Sequence, residues 1–289
     1  MRLAFLGTPE AAVPPLQGLV EAGHDVAVVV TRADKRRGRG GSLTPSPVKA
    51  AALDLGLTVT SSLDDVLPAE VDLGVVVAYG RIIKPPLLGA VPLVNLHFSL
   101  LPRWRGAAPV ERAILAGDEV TGVCLMGVEA ALDTGPVYRR VETAIGPDET
   151  VSELRGRLAG MGRDLLVRAL EEGLGTPEPQ VGEPTYAAKV EPEELRIDWS
   201  RPAVEVLRLV RLERAFTTFG ERRLLVPAAV AADQADAVGG PPGTLTGPVV
   251  ATGQGAVRLV RVRPEGKATL DAEAWLRGAR PAPGTRLGS

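Results

Sequence analysis

The chain has 289 residues, 45% of them hydrophobic, and its 33 Lys and Arg against 35 Asp and Glu leave a formal net charge of −2. That length buries a sizeable core and divides most naturally into two domains. No apolar run approaches the ~20 residues that span a bilayer, and the N-terminus enters a strand at once, which predicts a cytoplasmic protein without a membrane segment or signal peptide.

In chain order, RLAFL at residues 2–6 reads as a short apolar strand ended by Gly7. Thr8, Pro9 and Glu10 then read as N-cap, first helical residue and favourable first-turn acid of a helix running to about Ala22. VAVVVT after Gly23, LGVVVAYG from residue 73, and VNLHF are further strands rich in branched apolar residues. Strands alternating with helices predict an α/β, Rossmann-like, mostly parallel sheet covered on both faces. Gly7 opens no GxGxxG fingerprint, so the turn is read as architecture near the substrate and not as a dinucleotide site.

Two more strands are expected at TGVCLMGV and VYRRVETAI, the second alternating as a half-exposed strand does. Within the first, the single cysteine, Cys124, reads as a small buried hydrophobe. Thr150 and Glu153 have the spacing of a capping box, and Val151, Leu154, Leu158, Met161 and Leu165 recur at helical intervals up to Gly173. Residues 1–175 thus form the expected first domain. The prolines of TPEPQVGEPTYAAKVEP then predict an extended linker over 176–194. In 195–289 a helix containing Val204 to Leu212 is followed by RRLLVPAAV, GTLTG, VVATG and AVRLVRV, short strands between Gly and Pro turns that read as a small antiparallel barrel.

Charge is unevenly spread. Residues 201–289 carry 13 Lys and Arg against 8 Asp and Glu, so the first 200 residues are net −7. Inside that acidic part, RADKRRGRG at 32–40 holds five basic side chains against Asp34 alone. A basic loop and a basic tail point to a polyanion, with a solvated surface loop as the alternative.

The densest concentration of chemistry is NLHFSLLPRWRGAAP, residues 95–109. Alternation along a strand puts Asn95 and His97 on one face. Such a pair is often structural, but the only other histidine, His24, reads as a solvated residue of a helix-to-strand turn, so His97 is the candidate proton carrier at neutral pH. Asp133 falls at a turn between two strand-like segments, where a carboxylate can orient and charge that imidazole. One cysteine and two separated histidines leave no ligand set for structural zinc, and no metal is expected.

This stretch, with Asp133 in LDTG 24 residues after Pro109, resembles the folate-dependent formyltransferases. The similarity continues through AFLGTPE, DKRRGRGGSLTPSPVK, VVVAYGRII and RIDWS at 196–200, so it covers nearly the whole chain. The resemblance implies direct transfer of a formyl group from the co-substrate 10-formyltetrahydrofolate to the α-amine of initiator Met-tRNA, by a monomer. It makes Asn95, His97 and Asp133 the catalytic set. The Asn95 amide and a protonated His97 would meet the oxyanion, with Asp133 favouring the charged imidazole and relaying a proton. Ser99, Leu100, Leu101 and Pro102 would contact folate, and Arg36, Arg37 and Arg39 the tRNA acceptor end. The second domain would be OB-like and bind tRNA.

Three departures from the family pattern bear on the methionine pocket and the second domain: Phe98 after the histidine, Ala11 in the GTPE segment, and RAFTTFG at 214–220. The rivals are a formyltransferase acting on a small amine, against which RWRGAAP and the basic segments argue, and a tRNA-binding protein that has lost the chemistry, against which the intact triplet argues.

Overall fold

The computed structural model describes residues 1–37, 42–233 and 239–288. The chain packs as two compact units. The first is Met1–Val110, Val120–Ala144 and Leu154–Ala188; the second is Glu111–Glu119, Ile145–Glu153 and Lys189–Ser289.

The first unit begins with β1 (Arg2–Gly7), α1 (Val13–Glu21) and β2 (Asp25–Val30), followed by a ribbon of β3 (Lys35–Arg37) and β4 (Ser42–Thr44). It continues through α2 (Pro47–Asp54), β5 (Val59–Thr60), β6 (Leu73–Val77), α3 (Pro85–Ala90) and β7 (Leu93–His97). After β8 (Arg105–Gly106) comes α4 (Pro109–Ala116), which from Glu111 onward belongs to the second unit; the first unit resumes with β9 (Val120–Gly127), β10 (Val137–Ala144), the long α5 (Val151–Glu172) from Leu154 onward, and β11 (Tyr186–Ala187). Seven strands form one sheet in the order β10-β9-β7-β6-β1-β2-β5. The five from β7 to β5 are parallel, and β9 and β10 add an antiparallel edge. Every residue of β6 is buried, as branched apolar runs covered on both faces should be.

The start of α1 departs from expectation. Thr8 caps nothing: its Oγ1 lies 3.5 Å from the Tyr79 carbonyl, and a short 3-10 turn, Glu10–Ala12, precedes the helix at Val13. Pro14 and Pro15 explain the delay, because a residue without an N–H fits only the first helical turn. The capping box at α5 forms as expected, Thr150 N donating to Glu153 Oε2 at 2.8 Å and Glu153 N to Thr150 Oγ1 at 3.3 Å.

The second unit contains α6 (Ala203–Val210), β12 (Phe216–Phe219), β13 (Arg222–Ala231), β14 (Leu245–Thr246), β15 (Val249–Ala251), β16 (Ala256–Pro264), β17 (Leu270–Asp271) and α7 (Ala272–Ala279). Its antiparallel sheet runs β12-β13-β16-β15-β14, with β17 on β16. β12 and α7 lie outside the predicted set. The core gathers Trp199, Val206, Leu224, Val257, Leu259 and Trp275. RIDWS proves to be a core device: Trp199 Nε1 donates to the buried Thr217 Oγ1 at 2.9 Å. Among the described residues, no helix is long and apolar enough to cross a membrane.

Candidate active site

β7 lies between β6 and β9, in register with Val76 and Met126 at Asn95 and with Cys124 at His97. Asn95 is half-buried and His97 is 5% exposed, both at the carboxyl end of a parallel strand, where open α/β sheets offer a crevice. Leu96 and Phe98 alternate to the other face. Phe98 is buried, its ring close to Gly162 of α5, so this departure from the family pattern is a core contact.

A peptide carbonyl and a side-chain carboxylate frame the imidazole. The Trp104 carbonyl lies 2.8 Å from His97 Nε2, and Asp133 Oδ2 lies 3.7 Å from Nδ1. A carbonyl only accepts, so Nε2 carries a proton, and Nδ1 is the ring nitrogen that faces the carboxylate. Burial pushes the His97 pKa down, against the opposing pull of Asp133 and the Trp104 carbonyl. Burial thus works against the protonated, donating His97 expected from sequence, while Asp133 works for it. Desolvation outweighs one carboxylate at this distance, and the Nε2–H is already committed.

Asp133 Oδ2 also accepts the Gly106 N–H at 2.8 Å. Gly106 has φ +124, and a Cβ there would lie 2.8 Å from the Ala187 carbonyl, so this close approach of β8 to β11 requires glycine. Trp104 (φ 63) and Asp133 (φ 51) both hold left-handed backbone without being glycine. Each such residue costs of order 1–3 kcal/mol and persists only where surrounding bonds dictate it.

In the SLLP turn, Ser99 Oγ donates to the Arg103 carbonyl at 2.6 Å. Leu101 is buried with Cys124, Met126 and Val137, and Leu100 packs over Gly122. The Pro102 carbonyl accepts Thr185 N at 3.3 Å. Ser99 and Leu101 thus spend their side chains on the protein, and Leu100 is half-buried. Cys124 is fully buried, and burial raises its thiol pKa, in keeping with a packing role. His24 occupies its expected turn but is half-buried, with its pKa lowered by that burial. Among the described residues no cluster of three metal-ligating side chains exists.

The basic loop opens from the carboxyl end of β2. Arg36 is exposed on β3, whose backbone includes Arg37, while Arg39 lies outside the described residues. Asp34 is paired with Lys49 at 2.8 Å. In the second unit, β16 turns Val257, Leu259 and Val262 into the core between Arg258, Arg261 and Arg263. Arg261 and Arg263 are exposed, and Arg223 on β13 stacks over the Phe216 ring at 3.7 Å. Sequence reasoning passed over Gln180 and Thr185, which sit beside the triplet in space and carry no motif of their own.

A buried imidazole between a carbonyl and a carboxylate, beside an amide on the same strand, is equipped to exchange a proton and to donate a hydrogen bond to a polarised oxygen. Residues 1–170 match the family model described as formyl transferase, and residues 189–280 that described as formyl transferase, C-terminal domain; the chain belongs to the formyl transferase family of enzymes. Among its relatives, it is 44% identical to the methionyl-tRNA formyltransferase of Jannaschia sp. (strain CCS1), over 99% of this chain and 100% of that one. Its fold is similar to methionyl-tRNA formyltransferase from Clostridium thermocellum, with a TM-score of 0.60 and 17% identity over 81% of this chain and 95% of that one. It is also similar to HypX from Aquifex aeolicus in complex with tetrahydrofolic acid, with a TM-score of 0.67 and 22% identity over 96% of this chain and 47% of that one.

Proposed function

We propose that this chain transfers the formyl group of 10-formyltetrahydrofolate to the α-amine of methionine esterified to initiator tRNA, for translation initiation. The observation that carries the chemistry is the His97 imidazole, held at Nε2 by a carbonyl and faced at Nδ1 by Asp133, on the same strand as Asn95. In this reading the neutral amine attacks the formyl carbon and forms the new N–C bond. The Asn95 amide donates to the developing oxyanion. His97 Nδ1 takes the amine proton, and Asp133 stabilises the imidazolium that results. The bond from the formyl carbon to N10 then breaks, and the proton passes to N10.

The exposed Arg36, the Arg223 stack and the arginines of β16 support a polyanionic acceptor. Arg37 and Arg39 belong to the same proposed tRNA-binding surface by sequence position, and Ser99 to Pro102 to the folate site through their backbone. We place the domain boundary between residues 175 and 195 and read the protein as a cytoplasmic monomer, the latter checked by sedimentation. The deciding experiment incubates the protein with 10-formyltetrahydrofolate, labelled Met-tRNA and small amine acceptors. Formylmethionine on tRNA is the expected product; formylation of only the small amines would replace this reading with a small-molecule one.

A further inference from the structure

We infer that residues 178–187, which read in sequence as part of a linker, are a positioning strap for the active site, with Gln180 and Thr185 as its positioning residues. The segment lies between the stretches matched by the two family models, 1–170 and 189–280. The inference rests on the formyl-transfer reading for its kinetic consequence only.

The strap holds both of the left-handed residues that frame His97. Gln180 Nε2 donates to the Asp133 carbonyl at 2.9 Å and to the Gly135 carbonyl at 2.8 Å. Its Oε1 accepts from Arg105 Nε at 3.0 Å and Nη2 at 2.7 Å. One carboxamide thus uses both ends to tie the Asp133 turn to the strand that carries the Gly106 N–H. On the other side, Thr185 Oγ1 accepts the Trp104 N–H at 2.9 Å, and the Thr185 carbonyl accepts the Arg105 N–H at 2.9 Å. The Ala187 carbonyl takes the N–H groups of Ala107 and Ala108 at 2.9 and 3.1 Å, and Glu178 exchanges backbone bonds with Val137.

The consequence is geometric. Trp104 presents its carbonyl to Nε2, and Asp133 its carboxylate toward Nδ1, only from backbone conformations that neither residue prefers. Bonds from a separate segment supply the over-determination such conformations need. Misplacement of a reacting group by about 1 Å costs on the order of 100-fold in rate.

The test compares Gln180→Ala, Gln180→Glu and Thr185→Val with the parent full-length chain. Gln180→Glu still accepts from Arg105 but donates nothing to the two carbonyls. The expected result for both Gln180 variants is a kcat lower by about 100-fold, with the KM for Met-tRNA little changed and Tm close to the parent. The second readout is NMR titration of the His97 imidazole, whose signal is separated from that of the one other histidine by His24→Gln. With Asp133 released from its present place, the Nδ1 environment changes and the titration midpoint moves; Thr185→Val moves the same signal through Trp104. A Gln180→Glu variant with parental kcat and an unmoved His97 titration would overturn the inference. Should Gln180→Ala fail to fold, Gln180→Glu and Thr185→Val decide. If the parent formylates no Met-tRNA while the His97 signal still moves in the variants, the proposed function fails and the strap stands.

Discussion

The two units treat polar groups in opposite ways. In the first, a histidine and a carboxylate are drawn into a largely buried site and hydrogen-bonded to peptide C=O and N–H groups, at the cost of two left-handed residues and a glycine held by a close backbone approach. In the second, the buried layer is apolar apart from the Trp199–Thr217 pair and two threonines, Thr244 and Thr252, whose hydroxyls donate to nearby backbone carbonyls, and arginines stand outward from the sheet. A reaction needs fixed, desolvated dipoles, because reorganising water would cost what the site must supply in the transition state. Affinity for a long polyanion needs mobile charges in water that release counterions on binding. In the function proposed for it, the chain keeps these two needs on separate cores.

The comparison breaks first at the triplet. Asn95→Ala, His97→Ala and Asp133→Ala should each lower kcat for formyl transfer by about 100-fold or more while the chain stays folded; near-parental turnover in any of them removes that residue from the chemistry. The pH dependence sharpens the same point. Burial lowers the His97 pKa from 6.5, and the ring acts as a base only when neutral. The free enzyme should therefore hold its kcat/KM down through pH 6.5 and lose it at lower pH, as the ring protonates. An acid limb above 6.5 assigned to His97 would show that Asp133 outweighs burial at that ring.

Gly106→Ala comes next. It sets a Cβ 2.8 Å from the Ala187 carbonyl at a φ of +124, so kcat and Tm should fall together, measured by single-turnover formylation and thermal melting. A variant with parental values in both would show that β8 and β11 part without consequence.

Smaller and of a different kind is the effect expected in the second unit. Replacing Arg258, Arg261 and Arg263 with serine should raise the KM for Met-tRNA by about 10-fold and flatten its salt dependence, the log–log slope falling by roughly one for each phosphate left without its arginine. The kcat at saturating tRNA should not change. A drop in kcat with an unchanged salt slope would place these side chains in the chemistry or the fold instead. Least visible in activity is Trp199→Phe, which strands the buried Thr217 hydroxyl and should cost about 1–3 kcal/mol of stability by denaturant unfolding, with little effect on kcat.

Much of the architecture was legible because its signals are local. Branched apolar runs named β1, β2, β6 and β7, and a capping box named the start of α5. Thr8 misled because a good cap residue says nothing about Pro14 and Pro15 further along, which decide where a helix with complete hydrogen bonding begins. β12 was hidden in RAFTTFG, where Ala215, Thr217 and Phe219 face the core but a small and a polar residue supply two of the three and the run is too short for its alternation to stand out. In the site, Asn95 and His97 were readable as a pair and Asp133 as their partner. The strap was not, because the bonds of Gln180 and Thr185 reach groups 45 to 83 residues away along the chain, from Gly135 (180 − 135) to Pro102 (185 − 102). Prolines that disfavour regular structure also look the same in a slack linker and in a segment pinned along a strand.

By itself, the sequence determined that an amide and an imidazole share one face of a strand, that a carboxylate follows in a turn, and that basic charge gathers in one loop and in the second domain. The period of a β-strand and the covalent order of side chains suffice for that. Only the tertiary structure decided which imidazole nitrogen faces the Trp104 carbonyl and which faces Asp133, that burial opposes charging the ring, and that Gln180 and Thr185 bond to its neighbours. Those outcomes depend on burial and on hydrogen bonds between distant peptides, quantities that exist only once the chain has excluded water from the site.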